Sequence, residues 1–250
     1  MASVLRAHTG RMHSRSDLHA RLARRLALHQ RLFDPAVEPR NRLPWLKPLQ
    51  AWQAQRLEAS FAAFLRDPRC RPAARFFLTD VYGDHDFRQR DADIARVVPM
   101  MQRLLPAALL ETLADAIALA ALSHAFDLRM AEALEALAPQ RQALDAGLYG
   151  RAYRRVGHPR LRARQIALID DVGRRLAAAM RLPGVGSLLR MSRLPARAAG
   201  LGALQSFLER GFAAFDQLED AAAFLAAIRR QETQAMARLL AGDAAPFRTG

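Results

Sequence analysis

The chain has 250 residues, a net charge of +14 and 51% apolar residues. This length allows one large domain or two small ones, and the apolar fraction excludes a wholly disordered chain. The single cysteine, Cys70, excludes a disulfide framework and a zinc site built from cysteines. Alanine is abundant and β-branched residues are few, so the composition favours helices over strands.

The helical period of 3.6 residues recurs along almost the whole chain, and no alternating strand pattern is bounded by turn residues. It predicts helices at about 17–33, 44–65, 73–81, 87–105, 106–137, 140–155, 159–182, 195–215 and 220–241. We therefore expect an all-α bundle of about eight to ten helices without a β-sheet. Residues 1–33 form a basic N-terminal helical segment, docked or loosely attached, and residues 34–250 form a single all-α domain.

Two segments hold the excess of positive charge. Residues 1–33 contain seven arginines and one aspartate, and residues 147–197 contain twelve arginines and two aspartates. Such concentrated charge attracts phosphates, anionic lipids or acidic proteins. An arginine-rich compositional bias is the simpler alternative, because Lys47 is the only lysine in the chain.

The basic N-terminus is not followed by the apolar run of a secretory signal, although its composition also resembles an organellar transit peptide. No stretch of about 18 uncharged apolar residues predicts a membrane span. We therefore expect a soluble, cytoplasmic protein.

Three polar residues lie on apolar helix faces. Asp91 interrupts the stripe of the helix at 87–105, and His124 and Asp127 lie one turn apart on the most apolar helix. A buried carboxylate needs a partner, or its pKa rises and it stays neutral. These residues are candidates for acid/base catalysis, although a satisfied polar group in the core explains each of them more simply.

The predicted reversal of the chain at Leu105–Pro106 suggests a metal site. If the flanking helices form an antiparallel hairpin, the rise of about 1.5 Å per residue brings His124 and Asp127 to the level of His85 and Asp86. Two histidines with carboxylates suit iron, manganese or zinc. The candidate ligands of such a divalent metal are His85, Asp86, His124 and Asp127, although capping and turn formation also explain the acidic residues of this loop.

Arginines surround the predicted helix start near residue 159, where free amide protons would add to the attraction of an anion. The candidate anion-binding residues are Arg151, Arg154, Arg155, Arg160, Arg162 and Arg164. Few aromatic side chains accompany them for base stacking, and no helix-turn-helix is evident. Sequence-specific recognition of DNA is therefore not expected.

A second basic stretch is amphipathic. Arg190 and Arg193 alternate with apolar residues, namely Leu188, Leu189, Met191 and Leu194. This pattern suits a membrane surface. A solvated helix face, on which arginine stems cover apolar surface, gives the same pattern.

The stretch Phe76-Phe77-Leu78-Thr79-Asp80-Val81-Tyr82-Gly83, followed by Asp86-Phe87 and Arg90-Asp91, is distinctive. It resembles a family of uncharacterised bacterial helical proteins with an FFxxDxYGxxDFxxRD signature. The segments Ala121–Asp127 and Phe207–Phe212 look like later blocks of that family, so the likeness covers about residues 45–235. The resemblance implies no activity, because none is assigned to the family.

Two hypotheses follow. In the first, the chain is a binding protein whose arginine-rich surfaces engage nucleic acid, an anionic membrane or an acidic protein. In the alternative, it is a metal- or acid/base-dependent enzyme whose site combines the Tyr82–Asp91 loop with His124 and Asp127. We favour the first, because no complete catalytic motif is present.

Overall fold

The computed structural model describes residues 15–81, 97, 107–140 and 143–248. These residues form helices and no strand, so the predicted all-α class is confirmed. The described part comprises α1 Arg15–Phe33, a 3₁₀ turn Pro39–Arg42, α2 Leu46–Ser60, α3 Ala62–Arg66, α4 Arg71–Phe76, a π turn Phe77–Val81, α5 Ala107–Leu137, α6 Ala146–Val156, α7 Pro159–Met180, α8 Val185–Met191, α9 Arg193–Ala198, α10 Gly202–Asp216 and α11 Ala221–Ala241.

Helix α5 lies at the centre of the bundle. Its 31 residues extend about 46 Å, and they contact α1, α2, α6 and α7. By length and composition alone, α5 could cross a membrane. A helix that is apolar on most sides needs cover on most sides, and the four surrounding helices provide it here.

Helix α1 covers the N-terminal half of α5. A small apolar core joins the two helices, made of Leu18, Leu22, Leu110, Ala114 and Ile117. Nη1 of Arg25 also lies 2.5 Å from Oδ1 of Asp115, which adds an ion pair beside this core. The helical part of the basic N-terminus is therefore docked on the bundle.

The C-terminal half of α5 belongs to a larger core with α2, α6 and α11. The indole Nε1 of Trp45 donates a hydrogen bond of 3.1 Å to the carbonyl oxygen of Ala138, so the start of α2 is fixed against the end of α5. The buried members of this core include Trp45, Leu49, Leu128, Met130, Leu134, Leu148, Tyr149, Ala152, Tyr153 and Leu239.

A second large core, called the second core below, joins α4, α7, α10 and α11 and is rich in phenylalanine. Its buried members include Phe61, Phe77, Ala177, Phe215, Phe224, Leu225 and Ile228. Two glycines allow close approach: a Cβ atom on Gly173 would lie 2.6 Å from Cδ2 of Leu225, and one on Gly211 would lie 2.9 Å from Cζ of Phe76.

Three helix boundaries differ from the sequence prediction. Helix α6 begins at Ala146 rather than near residue 140, because the carboxylate of Asp145 accepts a hydrogen bond from the amide of Leu148 at 2.7 Å and caps it. The helix predicted at 195–215 is two helices, separated at Gly200, which has a φ of 71°. The helix predicted at 44–65 is interrupted at Phe61. The reversal at Leu105–Pro106 lies outside the described residues.

Close packing at Gly173 gives a test of the second core. We expect Gly173→Ala to lower the free energy of unfolding by about 1–2 kcal/mol, because the new methyl group overlaps the fully buried Leu225. Gly202→Ala is the matched control, since a Cβ there meets nothing within 4 Å. Urea unfolding of both variants measures the difference, and equal midpoints for Gly173→Ala and the wild type would contradict this packing.

Candidate functional site

His124 is buried where α5 meets the end of α1. Its imidazole stacks on the ring of Phe33 with centroids 3.9 Å apart, and Phe33 stacks on His29 at 4.4 Å. Nε2 of His124 lies 2.8 Å from Oδ1 of Asn41. The histidine therefore connects α5 to both α1 and the 3₁₀ turn.

The hydrogen bonds of Asn41 determine which nitrogen of His124 carries the proton. Nδ2 of Asn41 donates to the carbonyl oxygens of Leu32 and Glu38, at 2.8 and 2.9 Å, so Oδ1 must accept from Nε2–H of His124. Burial lowers the pKa of His124 to about 4, and nearby His29 acts in the same direction. The imidazole is neutral at pH 7, and a metal at Nε2 would have to replace Asn41.

Asp127 faces a different neighbour. Its Oδ2 atom lies 3.4 Å from Nε2 of Gln50 on α2, and the amide of Gln53, which donates to the hydroxyl of Tyr149 at 3.5 Å, is also near it. Burial raises the pKa of Asp127 to about 6, which the two glutamines and the charge of Arg162 offset only in part. Such a carboxyl can exchange a proton close to neutral pH. No hydrogen bond joins it to His124 within the part of the chain that the structure describes.

The metal and acid/base hypotheses stay predictions. Asp84, His85, Asp86 and Asp91 lie outside the described residues. Among the residues that are described, no group of three histidine, cysteine, aspartate or glutamate side chains could hold a metal ion.

The six candidate anion-binding arginines fall into two environments. Five of them lie on the surface around the end of α6 and the start of α7, namely Arg151, Arg154, Arg155, Arg160 and Arg164. Arg154 already donates to the carbonyl oxygen of Leu239 at 3.1 Å. Arg162 differs from the others, because it is only 6% exposed and is not part of this surface.

The guanidinium of Arg162 lies between two aromatic rings. Its Cζ atom is 3.9 Å from the centroid of Phe126 and 4.0 Å from that of Tyr153. Such contacts stabilise a desolvated cation. Its Nε and Nη2 atoms are buried without a hydrogen-bond partner among the described residues. No signal in the sequence indicates this burial, because arginine is ordinarily exposed and the rings that cover Arg162 come from α5 and α6.

The amphipathic stretch at α8 and α9 is exposed. Leu188, Met191 and Leu194 are 66%, 78% and 76% exposed, whereas Leu189 points partly inward. Exposure of large apolar side chains at this level, side by side, is characteristic of interaction surfaces.

A group of arginines that the charge pattern does not single out lines a cavity between α2, α11 and the C-terminal segment. They are Arg56, Arg230, Arg238 and Arg248. No signal in the linear sequence connects residues so far apart, because only the packing of α11 against its neighbours brings them together.

Opposite pKa shifts at Asp127 and His124 predict a distinctive pH dependence. The raised pKa of Asp127 contributes stability below pH 3.8 that is lost as the pH rises through about 6. The lowered pKa of His124 contributes stability above pH 6.5 that is lost as the pH falls through about 4. The two contributions therefore oppose each other between pH 4 and 6.

We expect Asp127→Asn to leave stability nearly unchanged at pH 4 and to raise the free energy of unfolding by about 2–3 kcal/mol at pH 7, since one pKa unit corresponds to about 1.4 kcal/mol. The control is Asp216→Asn, an exposed carboxylate at the end of α10. Urea unfolding from pH 4 to 7 measures both. A difference between Asp127→Asn and the wild type that does not grow with pH would contradict the raised pKa.

Comparison with known proteins identifies the family. No curated protein and no solved structure matches the chain. A family model described as "Domain of unknown function (DUF8198)" matches residues 32–246, which includes the range 45–235 expected from the resemblance. This match covers most of the sequence and agrees with the expectation of a family to which no activity is assigned. The chain therefore belongs to the family of the domain of unknown function DUF8198.

Proposed function

We propose that this protein binds an anionic membrane surface through α8 and α9. The observation that carries the proposal is the exposure of Leu188, Met191 and Leu194 next to arginines in a segment without acidic residues. We call these three side chains, together with Arg190 and Arg197, the α8–α9 surface.

The apolar side chains of the α8–α9 surface share one side of the segment. Leu188, Met191 and Leu194 follow one another at intervals of three residues, which is close to one helical turn. Leu182, just before α8, adds a further exposed apolar side chain, at 56%. A side of this kind can enter the interface between lipid headgroups and acyl chains.

Residues 185–198, which form α8 and α9, carry only positive charge. Between Asp171 and Glu209 the chain carries six arginines and no acidic residue. Arg193 forms two 2.9 Å hydrogen bonds with Glu209, and these lower the pKa of Glu209 to about 2. This arginine therefore fixes α9 to α10. Arg190 and Arg197 have no carboxylate ion pair among the described residues, and their charges are available to anionic lipids.

Hydrogen bonds on the inner side hold the segment in place. Nε2 of Gln205 donates to the carbonyl oxygen of Leu189 at 2.6 Å and to Glu209 at 2.9 Å. Its Oε1 accepts from the hydroxyl of Ser192 at 3.2 Å. The exposed leucines and methionine are therefore presented by an anchored scaffold, which reduces the ordering cost of binding.

An anionic membrane suits this surface better than nucleic acid does. Nucleic acid would satisfy the arginines, but stacking onto bases requires aromatic side chains, and the surface offers leucine and methionine instead. An anionic bilayer offers negative headgroups and an apolar interior at the same place.

Co-sedimentation of the full chain with vesicles tests the proposal. We expect binding to vesicles of phosphatidylcholine with 30% phosphatidylglycerol at low salt, and little binding to pure phosphatidylcholine. The double variant Arg190→Gln/Arg197→Gln should bind about 30-fold more weakly, since each basic residue near an anionic bilayer is worth about 1 kcal/mol. The triple variant Leu188→Gln/Met191→Gln/Leu194→Gln should lose binding even at low salt.

Matched variants on other surfaces serve as controls. Leu28→Gln and Val37→Gln replace apolar side chains that are 54% and 51% exposed, and Arg66→Gln/Arg75→Gln removes two exposed charges elsewhere. These variants should bind vesicles within about twofold of the wild type. Equal loss in controls and in α8–α9 variants, or binding of RNA or DNA but of no vesicle, would overturn the proposal.

A further inference from the structure

A cavity of about 300 Å³ lies between α2, α11 and the C-terminal segment. Four arginines line it: Arg56, Arg230, Arg238 and Arg248. Glu232 is the only acidic residue among the described residues that line it. We call this feature the arginine cavity, and it shares no residue with the α8–α9 surface.

The single carboxylate of the cavity is already neutralised. Nη1 and Nη2 of Arg56 lie 2.6 and 3.3 Å from the two oxygens of Glu232, and both side chains are largely buried. The charge of Glu232 is therefore not available to the other three arginines. The lining keeps a clear excess of positive charge.

The remaining arginines differ in their contacts. Arg238 donates to the backbone carbonyl of Arg248, which carries no charge, while Arg248 pairs with Asp243 at 3.1 Å. Arg230 is exposed and forms no ion pair among the described residues. Arg230 and Arg238 therefore have charge that no carboxylate in the described part balances.

The wall opposite α11 is held by packing. The ring of Phe247 lies 5.8 Å from Trp52 and 5.9 Å from Tyr149, and the guanidinium of Arg56 covers it at 4.9 Å. Pro246 is buried beside it. The C-terminal segment is thus anchored to the core that α5 forms with α2, α6 and α11.

Gln231 supplies a second kind of recognition. Its side chain lies in the lining, and its Oε1 atom is buried without a hydrogen-bond partner among the described residues. A buried acceptor without a donor costs free energy, so rotation of this amide to bring Oε1 to a hydroxyl or N–H group of a ligand would be favoured.

We propose that the arginine cavity binds a small phosphorylated molecule that carries a hydroxyl group. Guanidinium groups suit phosphate oxygens because they offer paired, parallel donors. The cavity volume lies at the lower end of the range for small-ligand sites, about 300–1,000 Å³. Arg230 and Arg238 balance the negative charge of the phosphate, and the hydroxyl group of the ligand donates a hydrogen bond to Gln231.

Isothermal titration calorimetry of the full chain with glycerol phosphate and with inorganic phosphate tests this site. We expect glycerol phosphate to bind more tightly than inorganic phosphate. Arg230→Gln should weaken both by about tenfold or more, because it removes charge-assisted hydrogen bonds. Gln231→Leu should reduce the difference in affinity between glycerol phosphate and inorganic phosphate, and it should leave the affinity for inorganic phosphate within about twofold of the wild type.

The neighbouring residue gives the control. Arg229→Gln makes the same change in net charge one position away, on an arginine that pairs with Asp170 at 3.1 Å outside the cavity. It should bind both ligands as the wild type does. If Arg229→Gln and Arg230→Gln weaken ligand binding equally, the effect comes from the lower net charge of the protein and the proposal is overturned. The absence of binding at millimolar ligand concentrations would also overturn it.

A further comparison separates a soluble ligand from a lipid headgroup. Vesicles containing phosphatidic acid present the same phosphate on a surface. If Arg230→Gln weakens glycerol phosphate but not vesicle binding, the ligand is soluble. If it weakens vesicle binding alone, the cavity takes no small molecule and the proposal is wrong.

Discussion

The burial of α5 on several sides at once is the constraint on which the rest of the structure depends. Residues such as Phe126, Leu128 and Leu134 are buried on different sides of the helix, which turns by about 100° per residue, so no single partner helix could cover them. Helices α1, α2, α6 and α7 divide this task, and the Trp45–Ala138 hydrogen bond sets where α2 starts against the end of α5. Because large apolar side chains contribute about 1.5–3 kcal/mol each when buried, this central helix supplies much of the driving force for the fold.

Polar groups on and around α5 are accommodated in three different ways. His124 is kept neutral and hydrogen-bonded to Asn41, Asp127 is held with a raised pKa beside two glutamines, and Arg162 lies between two aromatic rings. At pH 7 the imidazole of His124 is uncharged, the carboxyl of Asp127 is largely ionised and accepts from the amide of Gln50, and two aromatic rings stabilise the charge of Arg162. The opposite signs of the two pKa shifts keep the net effect of this region on stability small between pH 4 and 6.

The excess of arginine is used differently in different places. Arg25, Arg56 and Arg193 form ion pairs that join one helix to another. Arg190 and Arg197 stand beside exposed leucines on the α8–α9 surface, and Arg230 and Arg238 line a cavity whose one carboxylate is already paired. Net charge alone therefore says little about binding, because the carboxylates nearby decide which arginines are left to attract an anion.

Local periodicity is enough to predict the all-α class, the approximate place of most helices and the amphipathic character of residues 188–194. It missed the separation of α9 from α10 at Gly200, since a positive φ at one glycine leaves no trace in the apolar pattern. Local periodicity does not show that Arg162 is buried while Arg160 and Arg164 are exposed, or that Arg56 meets Arg230 and Arg248 around one cavity. Those facts depend on which helix packs against which, and contacts between distant residues are set by the whole core rather than by any local stretch of chain.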